Sequence, residues 1–374
     1  KIKMKTLIFI FTIFAQLTYS QWHYDQEEWD WDDSDYGRPI RFHNINTGWT
    51  IHIAAKDTIF KTTDGGLNWI GYLTPDTNRM SGLFFINNNT GWVVGQRGKI
   101  AKTTNGGINW TLQNSGVSSW LNSIYFIDAN TGIAVGSKDS NRVITKTTNG
   151  GSNWQILIRN NQSRLYSVHM TSSQDIYCVG DSGSIIRSSN AGINWINQIS
   201  GATGTLRKII FRNYGSPTIG WIAGKNGVIL TTSNNGSNWI SRSFNTVNFF
   251  GIDFASIDTG YVCGRGRIYK TVNNGLNWFQ QTIPVPDTVN IKDIFCITNQ
   301  NVWASPWSGP LIYTTNGGLT SISNISAETP SQYVLSQNYP NPFNPNTKIR
   351  FTIPKQEFVK LTIFDVTGKT MGIL

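Results

Sequence analysis

The chain repeats one phrase, Thr-Thr-Asn-Gly-Gly-x-Asn-Trp, at intervals of 39 to 44 residues. A seventh copy, Thr314 to Gly318, continues as Leu319-Thr320-Ser321 and lacks the final Asn-Trp. A period of this length with Gly-rich turns indicates an array of similar units, although length alone would suggest two or three domains. The six complete copies end at Trp69, Trp110, Trp154, Trp195, Trp239 and Trp278.

Each repeat contains three short β-rich segments separated by turn residues, and a fourth begins at the tryptophan of the phrase. In the second repeat these segments are Leu83 to Ile86, Trp92 to Gly95 and Lys99 to Thr103. β-Branched and aromatic residues favour strands, whereas Asn, Asp and Gly favour turns. Four strands in each of seven units predict an all-β protein with a seven-bladed β-propeller over residues 40–320.

The phrase predicts a capped turn followed by a buried ring. An Asp or Asn at its third position can accept backbone hydrogen bonds, and the following glycines permit positive φ. Ala191 in place of a glycine predicts slight strain, whereas Asn235 and Asn274 tolerate the left-handed region. The six tryptophans are expected to bury their rings between blades, so we assign the phrase a structural role. The turn residues are Asp64, Asn105, Asn149, Asn190, Asn234 and Asn273.

The seventh repeat has lost the start of its outer strand, and a matching tryptophan precedes the first repeat. Trp22 lies in residues 21–39, a segment that carries seven acidic residues between positions 25 and 35 and no Lys or Arg there. We predict that the part from Trp22 to Asp25 supplies the missing outer strand and closes the ring.

Charge is distributed unevenly along the chain. The formal net charge is +10, with 31 basic and 21 acidic residues. Subtracting Lys1, Lys3 and Lys5 from the bases and the seven clustered acids from the acids leaves 28 bases against 14 acids from residue 36 onward. The repeats are therefore strongly basic, which favours anionic partners or simply solubility.

Both ends of the chain resemble export signals. Residues 1–20 resemble a signal peptide, with lysines at the start, an apolar stretch from Leu7 to Leu17 and small residues Thr18 and Ser20 before the expected cut. That apolar stretch is too short to span a bilayer, and no transmembrane segment is expected. We expect the protein to reach the periplasm and then the cell surface or the medium.

The repeats resemble the Asp-box (BNR-like) repeats of the photosystem II stability and assembly factor propeller family. The resemblance lies in Thr-Thr-Asp-Gly-Gly-Leu-Asn-Trp and in the preceding Asn-Thr-Gly-Trp-x-Val-Gly. It implies a propeller that binds partner proteins. The same turn occurs in sialidases, xyloglucanases and sortilin-type receptors, so the turn alone does not select a function.

A second resemblance follows a linker at residues 321–334. Residues 335–374 contain Asn-Tyr-Pro-Asn-Pro-Phe-Asn-Pro and resemble the start of the C-terminal sorting domain of type IX secretion cargo. The resemblance implies a small β-sandwich and the type IX secretion machinery as a partner. Because the family's domain has further strands beyond the point matching Leu374, we expect a partial domain here.

Catalytic chemistry is poorly supported by the repeats. The only glutamates are Glu27, Glu28, Glu328 and Glu357, so the carboxylate pair of a glycosidase would have to consist of aspartates. Asp128, Asp253 and Asp258 lie in or beside strand-end turns, where capping is the expected role. Cys178, Cys263 and Cys296 lie in apolar segments, and neither they nor the four histidines have metal-ligand spacing. We predict no enzyme, cofactor or metal.

Basic residues follow the second strand of most repeats, in turns that a propeller places on one face together with the connections between blades. These connections carry Arg79, Arg164, Arg207 and Lys208. The favoured hypothesis is a secreted, monomeric, non-enzymatic propeller that binds a protein or an anionic glycan, not nucleic acid, on this face. The alternative is a sialidase- or xyloglucanase-like hydrolase. The candidate binding residues are Arg97, Lys99, Arg142, Lys225, Arg265 and Arg267.

Overall fold

The computed structural model describes the repeat region and short parts of both ends. The chain divides into two compact units, Ser20–Leu319 and a second that combines Lys1–Tyr19 with Thr320–Leu374. The predicted leader, residues 1–20, lies outside the described residues. These are 22–24, 38–51, 58–76, 78–138, 141–160, 162–214, 218–244, 246–307 and 309–318, with short strands between 334 and 373.

Seven four-stranded antiparallel sheets form the first unit, and we call them blades 1 to 7 in chain order of their first strands. Blades 1 to 6 each take four consecutive strands, whereas blade 7 takes three strands from its own repeat and one from the N-terminal segment. The N-terminal strand is β1 (His23–Tyr24), and blade 1 is β2 (Ile40–Phe42), β3 (Gly48–Ile51), β4 (Thr58–Thr62) and β5 (Ile70–Leu73). Blade 2 is β6 (Met80–Phe85), β7 (Gly91–Gly95), β8 (Ile100–Thr103) and β9 (Thr111–Gln113); blade 3 is β10 (Trp120–Phe126), β11 (Gly132–Lys138), β12 (Asn141–Thr147) and β13 (Gln155–Asn160). Blade 4 is β14 (Leu165–Met170), β15 (Ile176–Gly180), β16 (Ile185–Ser188) and β17 (Ile196–Gln198); blade 5 is β18 (Leu206–Arg212), β19 (Ile219–Gly224), β20 (Ile229–Thr232) and β21 (Ile240–Ser241). Blade 6 is β22 (Phe249–Phe254), β23 (Gly260–Gly264), β24 (Arg267–Thr271) and β25 (Phe279–Gln280); blade 7 is β26 (Ile291–Cys296), β27 (Val302–Pro306), β28 (Ile312–Thr314) and β1.

The first strands of neighbouring blades contact one another around the complete circle, including β2 against β26. The predicted all-β, seven-bladed propeller is therefore present, with the first strands innermost. The ring is closed by β1, which pairs antiparallel with β28 through His23↔Tyr313 and Tyr24↔Ile312. The strand β1 lies within the segment from Trp22 to Asp25, which we predicted to replace the missing outer strand of the last repeat.

Aromatic side chains fill the spaces between blades. The phrase tryptophan of blade 2, Trp110, meets Phe85 edge to face, and Phe85 stacks at 3.7 Å on Trp49 of blade 1. The indole N–H of Trp49 also donates to Gly106 O in the phrase of blade 2, at 2.9 Å. Equivalent stacks join blades 2 and 3, 5 and 6, and 7 and 1. The phrase therefore builds the interface between blades as well as the turn.

The two faces of the propeller differ in the turns they carry. The turns between second and third strands bond to the connections between blades, as Gly98 N does to Ser119 O and Asp181 N to Arg164 O. The phrase turns bond instead to the turns between first and second strands, as Gly106 N does to Asn89 O. The face with the turns between second and third strands is called the funnel face, and the face with the phrase turns is called the phrase face.

Beyond the propeller, the structure describes four short strands. They are β29 (Val334–Leu335), β30 (Phe351–Thr352), β31 (Thr362–Phe364) and β32 (Thr370–Ile373). They pair as two separate two-stranded sheets, β29 with β30 and β31 with β32. The predicted sandwich is not established by these pairs. Residues 321–333 of the predicted linker and the Asn-Tyr-Pro motif lie outside the described residues, whereas Val334, predicted as the last linker residue, lies in β29.

Candidate functional site

Six of the seven innermost strands carry a β-bulge at the same point, close to the funnel face. The pairing register shifts between Met80 and Gly82 in blade 2, and between Leu206 and Lys208 in blade 5. Bulges leave one residue out of the ladder and redirect its side chain. Here the residues at the bulges all line one central cavity, with Arg38 of blade 1 completing the ring. They are Ser81, Asn122, Tyr166, Arg207, Phe250 and Lys292.

The central cavity has a volume of about 410 Å³ and receives a side chain from every blade. Its wall combines polar and apolar side chains and is strongly basic, and we call this cavity the funnel. Serine and asparagine side chains from blades 2 to 4 form one part of the wall, with Trp120 beside them. The charged lining residues are six bases and one acid: Arg38, Arg41, Arg164, Arg207, Lys208, Lys292 and Asp293.

Aromatic rings hold two of these cations along the wall formed by blades 4 to 7. The guanidinium of Arg207 lies 4.5 Å from the ring centre of Tyr166. The ammonium of Lys292 lies 4.4 Å from the ring centre of Phe250 and 4.0 Å from that of Trp307. Such cation–π contacts fix the positions of long side chains without neutralising their charge. This wall therefore presents ordered positive charge.

An ion triad forms the floor of the funnel. Asp293 of blade 7 accepts a hydrogen bond from Arg41 of blade 1 at 2.7 Å and from Lys208 of blade 5 at 3.0 Å. Burial alone would raise the pKa of Asp293, but the charges of Lys208 and Arg41 outweigh burial and hold it below its usual range. Burial and the charge of Arg41 lower the pKa of Lys208. Asp293 is thus an ionised counter-ion and unsuited to act as a general acid.

A second cavity of about 260 Å³ continues along the central axis towards the phrase face. Asp253 in its wall accepts from Arg212 at 2.5 Å and from the backbone N–H of Cys296 at 2.9 Å. This corrects the expectation that Asp253 caps a turn, because it lies within β22 and links blades. Asp128 does cap its turn, accepting from the backbone N–H groups of Asn130 and Thr131.

Four of the six sequence-predicted binding residues lie on the funnel face with side chains at least partly accessible. Arg97 and Arg265 are exposed at the tips of their turns, and Lys225 and Arg267 are half-buried. Arg267 lies 3.6 Å from Asp287. None of the four lines the funnel. They form a rim that remains a predicted binding surface.

The other two predicted residues, Lys99 and Arg142, are buried and bonded within the fold. Lys99 donates to Thr74 Oγ1 at 2.8 Å and to Asp76 O at 2.5 Å. Arg142 donates from all three guanidinium nitrogens, to Ser163 O, Gln162 Oε1 and Ser184 Oγ. Their placement on an open binding face was wrong, since these cations anchor the connections between blades.

The sequence pointed to part of the funnel only. Arg164, Arg207 and Lys208 were expected on this face, but Arg38, Arg41 and Lys292 were not singled out. A comparison of equivalent positions across the seven repeats contains the missing signal. In every blade except blade 6, the two positions before one buried aliphatic residue of the innermost strand line the cavity; these aliphatic residues are Ile40, Leu83, Ile124, Val168, Ile209 and Ile294. The two positions are, for example, Arg207 and Lys208 before Ile209, and Lys292 and Asp293 before Ile294.

Within the described residues, three or more His, Cys, Asp or Glu side chains nowhere gather in a way that suits a metal ion. The same part of the chain contains no helix of the length and apolarity that a membrane crossing requires. The free thiols of Cys178, Cys263 and Cys296 are buried, and burial raises the pKa of each.

Comparison with known proteins supports the fold. Residues 72–217 match the family model described as photosynthesis system II assembly factor YCF48. The structure is similar to "YCF48 bound to D1 peptide" (TM-score 0.61, 18% identity, covering 80% of this chain and 96% of that one). It is also similar to YCF48 from Cyanidioschyzon merolae (TM-score 0.60, 17% identity, 78% and 98%) and to the WD40 β-propeller domain of Doa1 (TM-score 0.60, 11% identity, 80% and 98%). No curated protein matches the sequence.

Proposed function

We propose that this chain is a YCF48-like, non-enzymatic binding propeller that holds an acidic segment of a partner protein in its funnel. The observation that carries the proposal is the lining of the central cavity, where the closed ring of blades brings together six basic side chains and one acid. Clefts lined by charge of one sign concentrate ligands of the opposite sign.

The chemistry of the wall favours a peptide. Arg207 and Lys292 are held by aromatic rings and offer ordered partners for carboxylates. Serine and asparagine side chains on the opposite part of the wall, such as Ser123 and Asn122, suit the N–H and C=O groups of a main chain. A protein of similar fold has been solved with a peptide, as its title, "YCF48 bound to D1 peptide", states.

The carboxylates that line the two central cavities favour binding rather than hydrolysis. A glycosidase needs one protonated and one ionised carboxyl group. Asp293 is kept ionised by two cations, and Asp253 is bonded to Arg212 and to backbone N–H groups. Measurable turnover of sialosides or β-glucans by the purified protein would favour the hydrolase alternative.

Fluorescence anisotropy with a labelled Glu-Ser-Gly peptide tests the binding proposal directly. We expect the peptide to bind at low ionic strength, the affinity to fall as salt is added, and the same peptide with Gln in place of Glu not to bind. Equal binding of the Glu and Gln peptides would refute the proposal. Stronger competition by an anionic polysaccharide than by free Glu peptide would assign the funnel to glycans instead.

Two matched double variants separate the funnel from the rim. Arg164→Gln with Arg207→Gln removes two charges from the funnel, and Arg97→Gln with Arg265→Gln removes two from the rim on the same face. We expect the funnel pair to lose most of the peptide affinity and the rim pair to lose little. If the rim pair loses most of the peptide affinity and the funnel pair loses little, the binding site lies on the rim that the sequence predicted.

We also propose that the protein works at the cell surface or in the medium as type IX secretion cargo. The leader-like residues 1–20 and the Asn-Tyr-Pro-Asn-Pro-Phe-Asn-Pro motif support this proposal. In a host with the type IX system, the full chain should reach the surface or the medium, and a variant ending at residue 334 should stay in the periplasm. Equal export of both would contradict a sorting role for residues 335–374.

A further inference from the structure

We propose that Asp293 is a built-in counter-ion that sets how strongly the funnel attracts anions. The inference rests on the proposed binding function and assigns a specificity-determining role to a residue of its floor. Asp293 bridges Arg41 of blade 1, the next blade in the ring, and Lys208 of blade 5, which lies beyond blade 6.

The three charges of the floor are not equally accessible. The side chains of Arg41 and Lys208 are 23% and 15% exposed, whereas that of Asp293 is 6% exposed. All three contribute to the cavity lining. A ligand entering from the funnel face therefore meets the two cations more directly than the carboxylate, and Asp293 acts on the ligand mainly by cancelling one positive charge from behind.

This arrangement gives the floor a net charge of +1, from two bases and one acid. Asp253 and Arg212, deeper along the axis, compensate each other. The floor is thus weakly attractive to anions, and one carboxylate keeps it from being strongly attractive. Without Asp293, the floor would carry +2 and would hold weakly acidic or small anions that the native funnel releases.

Three variants change the floor by known amounts. Asp293→Asn raises its charge by one, Lys208→Met lowers it by one, and the double variant restores the native value. We expect affinity for the Glu-Ser-Gly peptide to follow this order: Asp293→Asn above wild type, the double variant near wild type, and Lys208→Met below it. Each step should be about two- to fivefold at low salt and shrink as salt is added.

A purely structural role for Asp293 gives a different result. Breaking a buried ion pair destabilises a protein, so every variant would then bind the same or more weakly. Any affinity of Asp293→Asn at or below the wild-type value would overturn the inference, provided circular dichroism shows a folded propeller. If Asp293→Asn does not fold, Lys208→Met and the double variant decide the question. A structural role predicts that the double variant, which loses both ion pairs, binds no better than Lys208→Met, which keeps the pair between Arg41 and Asp293.

The matched control is Asp175→Asn, which removes the same charge from an ion pair with Arg187 at 2.8 Å outside the funnel lining. We expect its peptide affinity to stay at the wild-type value, and an increase equal to that of Asp293→Asn would refute a local role. Failure of this inference is distinguishable from failure of the proposed function, since the latter is decided by the Arg164 and Arg207 double variant. If the Arg164 and Arg207 double variant loses binding and Asp293→Asn shows no gain in affinity, only the counter-ion role of Asp293 is refuted.

Discussion

At the scale of single residues, a hydroxyl group organises every copy of the repeated turn. Thr103 Oγ1 accepts from Gly107 N at 2.9 Å and donates to Asn105 Oδ1 at 3.0 Å, while Asn105 accepts from Asn109 N. The same hydroxyl pattern recurs at Thr62, Thr147, Ser188, Thr232, Thr271 and Thr314. Sequence reasoning assigned the cap to Asn or Asp alone, whereas the structure shows a two-residue cap.

Thr103→Val should therefore destabilise the propeller. The substitution keeps the shape but leaves the buried Gly107 N–H without its acceptor, which costs about 1–3 kcal/mol. Urea denaturation measures the loss. The neighbouring Thr104 is exposed, so Thr104→Val is the matched control and should change stability by less than about 0.5 kcal/mol. Equal losses for both would show that the hydroxyl is not the cap.

His169 gives the stability a pH dependence. It is buried in the wall of the second central cavity. Burial is the main cause that lowers its pKa well below 6.5, and the charges of Arg212, Lys208 and Arg41 lower it further. The unfolded chain then takes up the proton first as the pH falls, so stability is complete above about pH 6.5 and is lost below it. The slope should approach about 1.4 kcal/mol per pH unit. Urea unfolding of wild type and His169→Gln between about pH 7.5 and 5 measures it; an unchanged slope in the variant would contradict this assignment.

At the scale of elements, the contact between blades is made by three aromatic side chains from three different positions in the repeat. Phe126 in β10 stacks at 3.5 Å on Trp92 of β7 and meets Trp154 edge to face at 6.0 Å. Blade 3 lacks an aromatic residue at the position of Trp92, where it has Ile133, and Lys146 donates to Ala191 O of blade 4. The interfaces between blades therefore use equivalent positions of the repeat, but the residue types at these positions differ from blade to blade.

Phe126→Ala should remove the centre of one such interface. Deleting a buried phenylalanine costs about 3–5 kcal/mol through lost contacts and a residual cavity. Leu112→Ala, at a 46% exposed leucine in β9, is the control and should have little effect. Thermal and urea denaturation compare the two, and a small loss for Phe126→Ala would mean that the stack is dispensable.

At the scale of the whole molecule, the ring depends on a strand that is distant in sequence. Trp22, just before β1, is 2% exposed and packs in a cluster with Tyr261 and Ile268 of blade 6 and Ile312 of blade 7. Because β1 joins the outer edge of blade 7 and the chain returns as the innermost strand of blade 1, the N-terminal segment couples the last blade to the first.

Trp22→Ala should loosen this closure. We expect a loss of about 3–5 kcal/mol and faster hydrogen exchange in β28 and β2, the strands beside the closure. Trp195→Ala, at the phrase tryptophan of blade 4, is the control and should speed exchange near blade 4 instead. Identical exchange patterns in the two variants would argue against a special role of the N-terminal strand.

The number of blades and the Asn, Asp and Gly positions of the turn follow from the sequence, because they are local patterns repeated at a fixed period. The position of the closing strand follows from the one repeat in which the pattern is incomplete. The funnel does not follow, because successive lining residues lie about one repeat apart and differ in type, as Ser81, Asn122 and Tyr166 do. Only the bulges and the closed ring bring them together. Exposure was likewise decided by packing: Lys99 and Arg97 are two residues apart, yet the turn buries one against Thr74 and leaves the other in solvent. The sequence determines which residues are charged, but the packing of neighbouring blades determines whether a charged side chain is accessible to a ligand.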